Sequence, residues 1–391
     1  MRISKVKIAA VKLSCAMTIM LIAGCSTIES WNPFASKDKS KNLPAELVEF
    51  KSTMVVKTAW ETSIGDGDRF LFSPALIGDA VYAAAANGNI TRLDANTGKV
   101  SWRIDAGMPL SAGVGANGDT VAVASDKGAV LAFDTAGKLR WRAQASSEVL
   151  SAPAVGGGLV IVRSVDNRIS AYDINTGTRK WSVQRTVPTL MLRNAPGIAI
   201  GKNAAYAALP GGRIIALSLN SGVVLWEGVV GDPKGATELE RIADSAGTPM
   251  LIDRDVCTIA FQGKVACFDA VNGAARWSKD MSSYAGVGLD ERFVFVADEK
   301  GNVNALTRDN GVSVWRNGKL SYRRLSTPFS FGRAVVVGDY QGFIHFLSRE
   351  DGALLARVKT DKGTIFAAPV NYGAHLIFQT QSGTMVALAT E

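Results

Sequence analysis

A tryptophan-bearing motif recurs along the chain at a near-constant interval, and it constrains the fold more than any composition figure. Each copy opens on glycine or asparagine, runs through a short strand-like stretch and an Asp/Asn–Gly turn, and ends on tryptophan. The copies are Gly88 to Trp102, Gly128 to Trp141, Asn167 to Trp181, Gly212 to Trp226, Gly263 to Trp277 and Gly301 to Trp315. A seventh opens at Gly342 but carries Ala356 where the tryptophan should be, and an eighth opens at Gly383, close to the last residue. Successive openings lie 38 to 51 residues apart. A second apolar run precedes each copy, such as AVYAAA at 80–85 or FVFVAD at 293–298, with a proline or small-residue signal such as Ser326-Thr327-Pro328 earlier still. Four short strands per unit, with Gly, Asn and Asp turns between them, repeated at this period, predict the blades of a β-propeller.

With the strands lettered A to D, the Asp–Gly segment is the C–D turn and the tryptophan lies on the outer strand D. Asp94, Asp134, Asp173 and Asp269 can bond the turn backbone, and Gly98, Gly137, Gly177 and Gly273 can take positive φ. Trp102, Trp141, Trp181, Trp226, Trp277 and Trp315 should pack between blades, each with an N–H in need of a partner. Repetition at so many places argues for architecture and against catalysis. The eighth unit lacks a strand D, yet the run Val55 to Trp60 near the start reads as a strand D without its first three. The N-terminal strand should therefore complete the last blade and close an all-β, eight-bladed ring, leaving no exposed seam.

The N-terminus reads as an address. Arg2, Lys5, Lys7 and Lys12 precede the apolar run Leu13 to Gly24, which is too short to span a bilayer and suits a signal peptide. The run ends Ile22-Ala23-Gly24-Cys25, which resembles the lipobox of bacterial lipoproteins. That resemblance implies cleavage after residue 24, acylation of Cys25 and, with Ser26 following, an outer-membrane destination. Several acyl chains anchor stably where one does not. Residues 25–50 then read as a flexible tether and 51–391 as the propeller. Discounting those four leader cations reduces the formal charge from +8 to +4, which leaves little basis for a nucleic-acid partner. The apolar fraction of 47% excludes a disordered chain.

Chemistry is sparse. His345 and His375, the only histidines, occupy strand positions, so no metal site is expected. Cys257 and Cys267 flank the turn at Gln262-Gly263 at nearly equal distances, a spacing that permits a disulfide without requiring one. The tryptophan repeat resembles that of the pyrroloquinoline quinone dehydrogenases, which carry adjacent cysteines over the cofactor and a calcium site on much longer chains. Here the cysteines are not adjacent, so the expectation is no cofactor and no enzyme. A quinoprotein-type enzyme and a generic ligand-binding propeller lipoprotein stand as the alternatives.

Two D–A connections are long and, leaving successive blades on one face, should be neighbours. One holds Pro188-Thr189-Leu190-Met191-Leu192-Arg193. The other, Trp226 to Pro249, is acidic through Glu227, Asp232, Glu238, Glu240 and Asp244. Apolar anchors beside steering charges suit protein recognition, although Leu190 and Leu192 folded under the loop as satellite core is the competing reading. With the lipobox and the ring, these segments resemble the BamB family of lipoproteins of the outer-membrane β-barrel assembly machinery, the BAM complex. Pro188–Arg193 is similar to that family's V-P-x-L-x-L-R loop, and Ala236–Asp244 to its T-E-[ILV]-[DE]-R-[LI]-x-D stretch. The resemblance implies a non-catalytic scaffold that binds the periplasmic POTRA domains of BamA through Leu190, Leu192, Arg193 and Asp244. It leaves open whether unfolded outer-membrane proteins are bound as well. The family pattern can place a second acid two residues after Asp244, where this chain has Ala246, so charge pairing there should be weaker or displaced.

Overall fold

The computed structural model describes residues 42–186, 188–193, 196–232 and 235–390. The leader 1–24, Cys25 and most of the expected tether lie outside the described residues. Among the described residues every regular element is a strand, and the strands form eight antiparallel sheets of four. Blade one is Ala75–Ile77, Ala80–Ala84, Asn89–Asp94 and Val100–Asp105, as strands A to D. Blades two to seven repeat this order up to Lys359. The eighth blade takes Val370–Tyr372, His375–Gln379 and Thr384–Thr390 from the C-terminus and Val56–Ser63 from the N-terminus. The two chain ends pair antiparallel, from Val56 with Thr390 to Ser63 with Thr384. The ring is thereby closed by hydrogen bonds between residues over 300 positions apart.

Strands B and C carry the core because alternation is lost there: both faces are covered by neighbouring blades, so runs such as Ala80–Ala84 and Phe293–Ala297 are buried throughout. Strand D keeps one face outward and reads as an alternating pattern, as in Val100–Asp105. Every C–D pair skips one residue of strand D immediately before the tryptophan position, from Ala59 through Ser101 to Leu355. Such a bulge re-aims the following side chain, and here it turns the ring toward the next blade.

That turn produces one joint seven times over. The indole N–H of Trp60 donates to the carbonyl of Ala95 at 3.1 Å, Trp102 to Thr135 at 3.0 Å, Trp141 to Ile174 at 2.9 Å and Trp181 to Leu219 at 2.7 Å. Trp226 donates to Ala270 at 3.0 Å, Trp277 to Arg308 at 2.5 Å and Trp315 to Arg349 at 2.9 Å. Each acceptor belongs to the C–D turn of the following blade. The turn presses on the indole, and this is where glycine is required. A Cβ on Gly311, whose φ is 70°, would stand 2.4 Å from the Trp277 ring, and Gly98 meets Trp60 the same way. The turns are held by their own acids: Asp94 accepts from the backbone N–H of Asn96 and Thr97, and Asp173 from Asn175 and Thr176.

Ala356 has no indole because blade eight has no C–D turn to receive one; its strands C and D are the two chain ends. Met54 fills the joint instead, packed with Leu355, Ala356 and Leu388 in one core cluster. The amides of Thr53 and Met54 both reach the carbonyl of Leu355, at 2.9 and 3.2 Å. The end of the expected tether needs a correction for the same reason. Residues 45–50 are not free: Ala45 donates to the carbonyl of Ser321 at 2.8 Å, Arg357 donates to Val48 at 2.9 Å and lies over the Phe50 ring, and Leu47 and Phe50 pack on the core of blades six and seven.

Candidate protein-docking face

The 188–193 segment lies between strand D of blade three and blade four and has no regular structure. Its side chains divide by exposure. Leu190 is 43% exposed, Arg193 is exposed, and Met191 and Leu192 are half-buried. The leucines do not fold under the loop as a satellite core: Leu190 points outward, while Met191 and Leu192 wall a cleft of about 180 Å³ with Leu150, Arg163 and Pro210. Arg193 pairs with Glu148 at 2.9 Å on the rim of that cleft.

Asp244 is the clearest departure from expectation. It is 1% exposed and presents no surface for a partner. One carboxylate oxygen accepts the backbone N–H of Leu192 and the other accepts that of Gly211 at 2.9 Å. Both amides sit in non-repetitive segments with no ladder to satisfy them, and burying them unpaired would be costly. Asp244 thus pins the 188–193 loop to blade four from beneath. Ala246 is likewise buried, in strand A of blade five, so that position faces the core of blades five and six and not the loop face.

The second connection is less acidic in effect than in sequence. Glu227 is committed to Arg185 and Arg213. Glu240 accepts the amides of Ala236 and Thr237 at 2.8 and 3.1 Å while the Thr237 hydroxyl accepts from the Glu240 amide, a reciprocal cap that fixes the turn 236–241. Those amides hold the Glu240 carboxyl below its ordinary value. What the turn does offer is Leu239, 69% exposed. Sequence reading passes over this residue; its signal is a lone apolar side chain inside the charged run Thr-Glu-Leu-Glu-Arg.

The remaining candidates are structural. Cys257 and Cys267 face each other in register on strands B and C of blade five, fully buried and joined by a disulfide, with Cα atoms 4.1 Å apart. His345 is buried with Nε2 2.9 Å from Asp339, which Arg323 also engages at 2.7 Å. Burial pushes His345 below the ordinary imidazole value against the pull of Asp339. His375 is half-buried at the start of strand B in blade eight. Among the described residues no three His, Cys, Asp or Glu side chains gather as a metal site would require.

The sequence profile of the family described as "Outer membrane protein assembly factor BamB" matches residues 86–317, more than half of the chain. The outer membrane protein assembly factor BamB of Burkholderia pseudomallei is 42% identical over 375 residues, covering 96% of each chain. The chain belongs to the BamB family. The crystal structure of BamB from Moraxella catarrhalis superposes with a TM-score of 0.79 at 26% identity, covering 86% of this chain and all of that one. A quinohemoprotein alcohol dehydrogenase from Comamonas testosteroni also superposes, at TM-score 0.69 over 85% of this chain and 76% of its own, but at 14% identity that likeness shows the propeller fold alone. BamB membership makes the chain an outer membrane protein assembly factor.

Proposed function

We propose that the chain is a non-catalytic scaffold, exported by its leader 1–24, acylated at Cys25, anchored in the outer membrane and facing the periplasm. Its partner is BamA, whose periplasmic POTRA domains dock on the face that carries the 188–193 loop. The observation that supports this most is the loop itself: Leu190 stands exposed while Asp244 fixes the backbone behind it. An exposed apolar anchor on a pre-formed backbone loses little entropy on binding, which is how a small patch becomes an anchor. Leu239 adds a second apolar side chain from the neighbouring connection, and the Arg193–Glu148 pair supplies charge at the rim. The buried disulfide is consistent with an oxidising compartment. Across the rest of the ring, aspartates and tryptophans of the repeat are consumed in turns and joints.

The test is recovery of BamA from membranes with the tagged protein, comparing the unaltered chain with Arg193→Glu and Leu192→Ala. Circular dichroism establishes that each variant folds. Folded variants that recover little BamA support the reading; recovery equal to the unaltered chain removes this face from it. An unaltered chain that recovers no BamA removes the partner.

A further inference from the structure

Arg163 ends strand B of blade three, and its guanidinium lines the cleft beneath the 188–193 loop. The residue is 9% exposed, and among the described residues its side chain makes neither a hydrogen bond nor an ion pair; its Nε is wholly buried and unsatisfied. Neither nearby carboxylate pairs directly with it. Asp244 gives its oxygens to the amides of Leu192 and Gly211, and Glu148 is held by Arg193. Burial pushes the Arg163 guanidinium down to about 10, with only a partial opposing attraction from Asp244. A desolvated cation without a partner is costly and is seldom left so unless a ligand supplies the missing charge.

We propose that this cleft receives an aspartate or glutamate side chain of the docked protein, which forms a forked pair with Arg163. The inference rests on the docking face proposed above and names the chemistry of its centre. Size decides the occupant: about 180 Å³ lies below the range of small-molecule sites, roughly 300–1,000 Å³, and suits one inserted side chain. Charge decides its sign, since guanidinium matches a carboxylate with two parallel N–H···O bonds. The walls decide its depth. Leu150, Met191 and Leu192 exclude water around the pair, which strengthens it. The partner's apolar contact with Leu190 and its acid in the cleft would thus be two parts of one docking event.

The test uses the full-length protein and BamA's periplasmic region, with affinity measured by calorimetry and stability by thermal unfolding. Arg163→Gln is expected to weaken binding at least about tenfold while leaving the unfolding temperature unchanged or higher, because a buried unpaired charge has been removed. Neutralising the matching acid on BamA, found by replacing its exposed Asp and Glu one at a time, should then cost nothing further in the Arg163→Gln background. Unchanged affinity for Arg163→Gln alongside lost affinity for Leu190→Asp overturns the carboxylate site and leaves the docking face standing. Unchanged affinity for both overturns the face and the site together. Should Arg163→Gln fail to fold, Arg163→Lys keeps the charge and loses the fork: weakened binding by the folded variant supports the proposal, and full affinity overturns it.

Discussion

At the seven tryptophan joints each indole N–H and large ring is committed to the protein itself, whereas on the 188–193 face Leu190 and, among the described residues, Arg163 are left uncommitted. Trp277 gives its N–H to Arg308 and its ring to Gly311. A few blades away, Leu190 stands in solvent and Arg163 has no partner among the described residues. The joints repeat because every blade must solve the same packing problem. The loop face departs from the repeat in length and in pairing, and it is there that we place the proposed docking of a partner. Repetition marks architecture; the proposed function sits where the repetition breaks.

The closure offers the largest effect by which to break this contrast. Removing residues 384–391 deletes the strand that pairs with Val56–Ser63, so the truncated chain should lose the cooperative unfolding transition seen by circular dichroism. A truncated ring with native cooperativity would show that the chain ends do not close it. Within the joints, Trp277→Ala should cost about 3–5 kcal/mol in denaturant unfolding, and Gly311→Val a comparable amount by driving a side chain into the indole at a positive φ. Trp102→Ala should cost less, because Gly137 approaches that ring more loosely: a Cβ placed on it would stand 3.4 Å from the indole and 3.3 Å from Ile104.

On the loop face the expected signature is reversed. Asp244→Ala leaves the Leu192 and Gly211 amides unpaired, about 1–3 kcal/mol locally, and should speed hydrogen exchange in 188–193 while the global transition moves less. Exchange unchanged in that loop would mean that Asp244 does not brace it. Arg193→Glu should stay within about 0.5 kcal/mol of the unaltered chain in stability and still fail to recover BamA.

A smaller effect concerns pH. His345 has a folded value depressed below the unfolded one of about 6.5. The unfolded chain therefore takes up the proton first, and the stability contributed by the neutral ring is present above about 6.5 and declines as pH falls toward the folded value. Unfolding free energy measured from about pH 7.5 downward should fall in that window, and His345→Gln should flatten the slope. An unaltered slope would assign the pH dependence elsewhere.

The ring is legible in the sequence because its signal is local and repeated: turn acids, glycines and tryptophans sit at fixed offsets, and Trp60 stands one period ahead of Trp102. The closing strand follows from the same count. What stays hidden depends on three dimensions. Ala356 reads as a defect until the missing C–D turn of blade eight explains it, and Met54 gives no sign in sequence that it fills the gap. Asp244 reads as a surface acid, since nothing in Ile-Ala-Asp-Ser indicates that two amides from other segments converge on it. Arg163 reads as an ordinary strand residue, because an unpaired charge is visible only when its surroundings are known. Residues 45–50 read as free tether because the groups that hold them, Ser321 and Arg357 among them, lie in blades six and seven at the far end of the chain.

The central claim is that partner binding belongs to the face carrying 188–193 and not to the opposite face, where the C–D turns lie. A photo-crosslinking residue placed at Leu190 in cells, with one at Asn175 in the C–D turn of blade three as the counterpart, tests this most directly. Cross-links to BamA from position 190 and none from 175 are predicted. Cross-links from 175 with none from 190 would contradict the account.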